Sequence, residues 1–166
     1  MRVRWRGAWL FAPLVGLLCL TALTACASGT SGKAVPGSTA TTGPITVTTN
    51  LTGYTVNDAI GVTVSNTSSA DYFAVDGKSS CVIVQLERYN SAKGVWAPMD
   101  LCALVITVQT FAIAKDSQQQ FTLTPSSSSD PNSWDAGLYR VSVVYSAKND
   151  GVTGAQQAHC AAFTIK

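Results

Sequence analysis

Between residues 45 and 166 the apolar side chains return at every second position. Ile45, Val47 and Thr49 alternate with polar neighbours. So do Ile60, Val62 and Val64, then Val82, Val84 and Leu86, then Leu104, Ile106 and Val108. Phe121 and Leu123 follow, then Tyr139, Val141, Val143 and Tyr145, then Ala161, Phe163 and Ile165. A period of two places one set of side chains on one face of an extended strand; helices need a period of 3.6. Short candidates at 71–75 and 95–97 bring the count to eight or nine strands. Turn-rich stretches (TGYTVND, SNTSS, DGKSS, NSAKG, PSSSSDPNS, AKNDGVTG) separate them. Short strands at this spacing predict an all-β, two-sheet antiparallel sandwich. The alternating sets form its core, and the intervening Thr, Ser, Gln and Arg face water.

One hairpin is explicit. Segments 81–89 and 95–102 flank NSAKG, where Gly94 supplies a positive φ. Folding the chain about residue 92 brings Cys81 close to Cys102, and facing strand positions come within disulfide reach. A Cys81–Cys102 bridge is therefore expected, adding ~3 kcal/mol by loop entropy.

The first 26 residues have a different logic. Arg2, Arg4 and Arg6 precede an apolar run over 8–23, sixteen residues with Pro13 inside. That is short of the ~20 needed to span a bilayer and has the layout of a secretory signal. The run ends in Leu23-Thr24-Ala25-Cys26, which resembles the bacterial lipobox. The resemblance implies that the Cys26 thiol receives a diacylglyceryl group and that the leader, residues 1–25, is cut before it. Two or three acyl chains, at ~0.8 kcal/mol per buried CH₂, anchor a protein stably. Cys19, inside the apolar run, is filler. Residues 27–44 are almost all Ala, Gly, Ser, Thr and Pro, with one charge (Lys33). Such a stretch cannot bury enough surface to order itself. It reads as a flexible tether, 26–44, with an r.m.s. span of ~20–25 Å, followed by the folded domain at 45–166. The implied location is the extracytoplasmic face of a bacterial membrane.

Trp134-Asp135-Ala136-Gly137-Leu138-Tyr139-Arg140-Val141 resembles the D-x-G-x-Y-x-C of immunoglobulin-like strand F. The resemblance implies an immunoglobulin-like sandwich in which Asp135 and Gly137 form the turn. Tyr139 is then a tyrosine corner, its hydroxyl returning to the backbone upstream. Val141 stands where that family has Cys, so no inter-sheet disulfide of the antibody kind follows. The same phrase, with the C…LER…W…C hairpin, is similar to immunoglobulin-like domains of bacterial envelopes. It brings a fold and no catalytic residues.

The charge balance excludes a nucleic-acid binder. Without the three leader arginines it is 8 basic against 9 acidic residues. Chemistry has little to work with. His159 is the single imidazole and its neighbour Cys160 points to the opposite strand face, so the two make no catalytic dyad. One His and, after leader removal, one Met (Met99) cannot build a copper or zinc site. No EF-hand run exists. The sequence implies neither metal nor cofactor. Four of the eight Asp residues (Asp58, Asp76, Asp130, Asp150) lie at turns, where local hydrogen bonds explain them. Glu87-Arg88 reads as a solvent-facing strand segment. Asn50 and Asn66 open glycosylation sequons that a bacterial lipobox makes idle. Trp96 and Trp134 read as sandwich-rim core residues first and as binding aromatics second.

Cys160 is the odd thiol. Alternation with Phe163 and Ile165 puts it on the outer face. Three readings stay open: a small semi-buried strand residue, a mixed or intermolecular disulfide, or an exchanged pairing with Cys81 or Cys102. The function expected is a non-catalytic binding or adhesion module with a protein or glycan partner, held at the membrane through Cys26. Two others stand beside it: a β-sandwich protease inhibitor presenting loop 90–94 or 126–133, and a spacer or assembly subunit of an envelope complex.

Overall fold

The computed structural model describes residues 35, 37–75, 82–99, 109–126 and 132–166. Eleven strands and no helix form among them: β1 (Ile45–Thr49), β2 (Gly53–Tyr54), β3 (Ile60–Asn66), β4 (Tyr72–Val75), β5 (Val84–Asn90), β6 (Val95–Pro98), β7 (Thr110–Ile113), β8 (Ser117–Leu123), β9 (Gly137–Ser146), β10 (Gln156–His159) and β11 (Phe163–Ile165). The expected strand at 104–108 and the Cys81–Cys102 pair lie outside the described residues, as do Cys26, the leader and most of loop 126–133.

The strands make two sheets. The smaller has the order β1-β3-β8, with Ile45 opposite Asn66 and Ile60 opposite Leu123. The larger is organised by the ten-residue β9. Along one edge of β9 run β11 and β10; along the other run β5 and β4, with β7 beyond β4 and β6 beyond β5. Every pairing is antiparallel except the two-residue β2–β11 ladder. The all-β sandwich follows from the alternation. Ile45, Val47, Ile60, Val62, Val64 and Leu123 on one sheet share a core with Val84, Leu86, Tyr139, Val141, Val143 and Phe163 on the other. Each fully buried aliphatic contributes about 1.5–3 kcal/mol of transfer free energy.

The β5–β6 hairpin pairs Tyr89 with Trp96 and Asn90 with Val95. Its turn, residues 91–94, closes through Gly94 N–H to the Asn90 carbonyl (2.8 Å), and Gly94 has φ +69°. A side chain would strain that conformation.

Two features depart from simple alternation. The first lies between β10 and β11. His159 pairs with Ser142 and Phe163 with Tyr139, so four steps on one side match three on β9. One extra residue is a β-bulge, and it reverses the side-chain phase. Ala158 and Cys160 therefore point into the core together with Phe163 and Ile165, while Ala161 is exposed. The outer-face expectation for Cys160 is corrected accordingly: it is 2% exposed.

The second concerns residues 37–44, which composition assigns to the tether. Ala162 N–H donates to the Ser38 carbonyl (2.7 Å), Thr41 N–H to the His159 carbonyl (3.0 Å), and His159 N–H to Thr41 Oγ1 (2.8 Å). The stretch runs along the β10–β11 edge as an improvised strand. Residues 33–166 accordingly form one compact unit. Backbone groups make two of these three bonds, so a sequence without apolar periodicity can do it.

Candidate functional site

The polar machinery lies on the face of the larger sheet turned away from the core. Odd residues of β9 enter the core, and Arg140 and Ser142 point the other way. Glu87 on β5 stands directly opposite Arg140. Its Oε2 accepts a hydrogen bond from Arg140 Nε. Its Oε1 accepts from Ser142 Oγ and from Gln157 Nε2, both at 2.9 Å. Arg140 Nη1 donates to the Gly37 carbonyl (3.1 Å), and the guanidinium carbon lies 4.7 Å from the centre of the Trp96 ring. Tyr89 leans on Trp96, with centroids 5.2 Å apart.

Glu87 and Arg140 are 6% and 9% exposed, so the solvent-facing reading of Glu87 is corrected. Trp96 and the docked stretch from Gly37 exclude water from a face that the pleat alone would leave wet. Both carboxylate oxygens accept hydrogen bonds from protein donors, and the arrangement fixes a charge pair.

The second constellation is at the start of β9. Tyr139 Oη donates to the Asp135 carbonyl (2.7 Å), the bond that defines a tyrosine corner. Arg88 clamps the turn: Nη2 donates to the Ala136 carbonyl (2.8 Å) and Nη1 lies 3.3 Å from Asp135 Oδ2. Its guanidinium carbon is 5.9 Å from the Tyr139 ring centre. A Cβ at Gly137 would meet Arg88 Nε at 3.0 Å, so a larger residue there would press on the clamp. Burial raises the Tyr139 phenol pKa, opposed by the Arg88 charge. Removing this hydroxyl in Tyr139→Phe is expected to cost about 1 kcal/mol, read from the urea midpoint of the purified chain.

Trp134 is a core residue. Its backbone N–H donates to the Val56 carbonyl (2.7 Å) and its indole Nε1 to the Asp58 carbonyl (2.8 Å). Both sequon asparagines are structural. Asn50 Oδ1 accepts from Gly61 N–H (2.9 Å) and Tyr54 Oη (2.7 Å); buried Asn66 donates to the Ala70 and Ile113 carbonyls.

At the bulge, the Val141 N–H has the Cys160 thiol as acceptor, 3.1 Å away. Desolvation raises the thiol pKa, which suppresses the reactive thiolate. In the native chain Cys160 is expected to stay unlabelled by a maleimide at neutral pH and to label fully in denaturant. Mass spectrometry of the labelled peptide checks this; rapid native labelling would contradict the burial.

The sequence does not single out Arg140, Ser142 and Gln157 as partners of Glu87, or Gly37 as a partner of Arg140. β9 does not announce the cover: its outward residues Arg140 and Ser142 are polar, and outward Val144 is exposed. Among the described residues no group of three or more His, Cys, Asp and Glu is placed to hold a metal, and no helix is long and apolar enough to cross a membrane. Beyond the ion pair, the β5–β6 hairpin carries an open groove of about 310 Å³ lined by Arg88, Tyr89, Asn90, Ser91, Ala92 and Ala97.

No family model matches the chain, and no curated protein does. Among solved structures it is similar to the alkylpurine DNA glycosylase AlkC of Pseudomonas fluorescens, bound to DNA containing an abasic site analog. The identity is 13% and the TM-score 0.36, over 76% of this chain and 31% of that one. It is also similar to a β-glucosidase of Listeria innocua, with 12% identity and TM-score 0.32 over 73% and 16% of the two chains. The chain thus spans less than a third of each, and likeness at this level assigns it no activity.

Proposed function

We propose that this chain is a bacterial envelope lipoprotein whose β-sandwich is a non-catalytic binding module. The observation that carries the anchor is Leu23-Thr24-Ala25-Cys26 at the end of a basic-then-apolar leader. The binding role is supported by how the polar side chains are spent. Glu87, Arg140 and Ser142 satisfy one another, and Arg88 and Asp135 hold a turn. What remains open to a partner is surface, and we assign contact to the hairpin groove, where Tyr89 and Asn90 line a concave strip. The tight turn at 91–94, closed by the Asn90–Val95 pair, gives little support to an inhibitor loop at 90–94, because a protease cleft takes its peptide extended.

The test has two arms in a bacterial host expressing the full chain. In the first, an alkyne-palmitate label is expected on the wild type in the membrane fraction, with a mature N-terminus at Cys26. Cys26→Ser is expected to lose the label. Label retained in Cys26→Ser, or a mature N-terminus elsewhere, removes the anchor. In the second, the membrane-extracted chain is the bait for envelope extract. A stoichiometric partner lost with Tyr89→Ala supports the groove. A partner insensitive to that substitution, or no partner at all, overturns it.

A further inference from the structure

Among the described residues, no strand pairs along the outer edge of β8. Among the described residues β8 pairs with β3 alone, through seven consecutive positions from Ser117–Asn66 to Leu123–Ile60. An edge strand presents unpaired N–H and C=O groups to whatever extended chain approaches. Soluble proteins usually blunt such an edge with a charge, a proline, a bulge or a covering segment. This domain covers another edge in that way, laying residues 38–41 along β10–β11. Among the described residues β8 has none of these devices. Its sequence, Ser-Gln-Gln-Gln-Phe-Thr-Leu, carries no charge and no proline, and its ladder to β3 is unbroken. Gln118, Gln120 and Thr122 are exposed, and Phe121 is half-buried at the rim of the core.

We infer that β8 pairs antiparallel with β8 of a second copy of this chain, about a twofold axis at Gln120. The strand is self-complementary in that register. Gln120 faces its own copy, and Gln118 faces Thr122 of the other chain, so only uncharged hydrogen-bonding side chains meet on the exposed face. Asp116, just before β8, falls opposite Thr124 and never opposite itself, and Pro125 ends the pairing just beyond. A twofold contact of this kind is closed and does not propagate. The two three-stranded sheets become one of six strands. The pairing needs no lipid, so it stands or falls independently of the anchor.

The test is site-directed cross-linking of the full chain in intact cells, with the chain recovered from whichever fraction holds it. Facing positions in an antiparallel pair have Cβ atoms about 5 Å apart. Gln120→Cys is therefore expected to give a disulfide-linked dimer under mild oxidation. Gln118→Cys alone is not, because its own copy sits about 13 Å along the strands. The double variant Gln118→Cys/Thr122→Cys restores the cross-link. Gln120→Lys sets two like charges face to face and is expected to abolish the doubled mass seen by sedimentation of the detergent-solubilised wild type. Each variant is checked for folding by the protection of Cys160 from maleimide. Equal cross-linking at 118 and 120, a wild type that sediments as a monomer, or a dimer unmoved by Gln120→Lys overturns the inference. A partner strand from another protein would give the monomer result and a hetero-cross-link at Gln120→Cys.

Discussion

Replacing Glu87 with alanine is expected to destabilise the domain by about 3–5 kcal/mol, the range for stripping one partner from a buried ion pair. The loss is large because of what it leaves behind. Arg140 would remain 9% exposed, beneath Trp96, with the Gly37 carbonyl as its described hydrogen-bond acceptor. Ser142 Oγ and Gln157 Nε2 would lose their acceptor as well. Burying a guanidinium without an anion costs far more than the pair is worth when complete. The two quantities separate experimentally. Glu87→Leu/Arg140→Met removes both charges and keeps apolar volume, and it is expected to be more stable than either single variant. Urea titration with matched slopes reads the wild type, Glu87→Ala, Glu87→Leu, Arg140→Met and the double variant. A Glu87→Ala midpoint within about 0.5 kcal/mol of wild type, the usual range for surface changes, would mean that water reaches Arg140.

The pair also shows where the sequence stops being legible. Alternation at Ile60-Val62-Val64 and Tyr139-Val141-Val143-Tyr145 identifies β3 and β9, because each inward side chain carries its own signal. The hairpin is legible through Gly94, and the corner through Asp135-Ala136-Gly137-Leu138-Tyr139, because turn chemistry is local. Glu87 and Arg140 obey the same alternation and point away from the core. Their burial comes from the chain around Gly37, 103 residues before Arg140, which docks through backbone groups that any sequence supplies. β10 is hidden for a related reason: of Gln156–His159, Ala158 alone is apolar and buried. The bulge after His159 has no glycine to announce it, so the inward face of Cys160 cannot be read by counting back from Phe163. Strands are thus readable where one face is apolar and the other wet. They are unreadable where a distant segment covers the wet face.

Trp134→Ala is expected to have an effect as large, about 3–5 kcal/mol, by a different route. The indole is 2% exposed and is among the largest fully buried side chains. Its removal leaves a cavity that neighbouring strands, held in register by their ladders, cannot close. It also leaves the Asp58 carbonyl without the Nε1 donor at 2.8 Å. Trp134→Phe separates the two contributions. It keeps most of the apolar volume and loses the donor, so it is expected to cost less than the alanine variant and more than the ~1 kcal/mol of a lost hydrogen bond. For a domain of this size each kcal/mol lowers the melting temperature by roughly 3–5 °C, so Trp134→Ala is expected to melt roughly 10–25 °C below wild type. The position also sets how far the damage spreads. The backbone of Trp134 ties to Val56, and that of Val56 ties to Lys166 after β11. The indole therefore joins the β2–β3 loop and the chain entering β9 in one packed corner, beside the Tyr139 hydrogen bond. Hydrogen exchange is expected to show early opening of residues 54–60 and 134–139 in the alanine variant, with β3 and β5 still protected. Uniform loss of protection across all strands would instead mean that this corner and the sheets unfold as one unit.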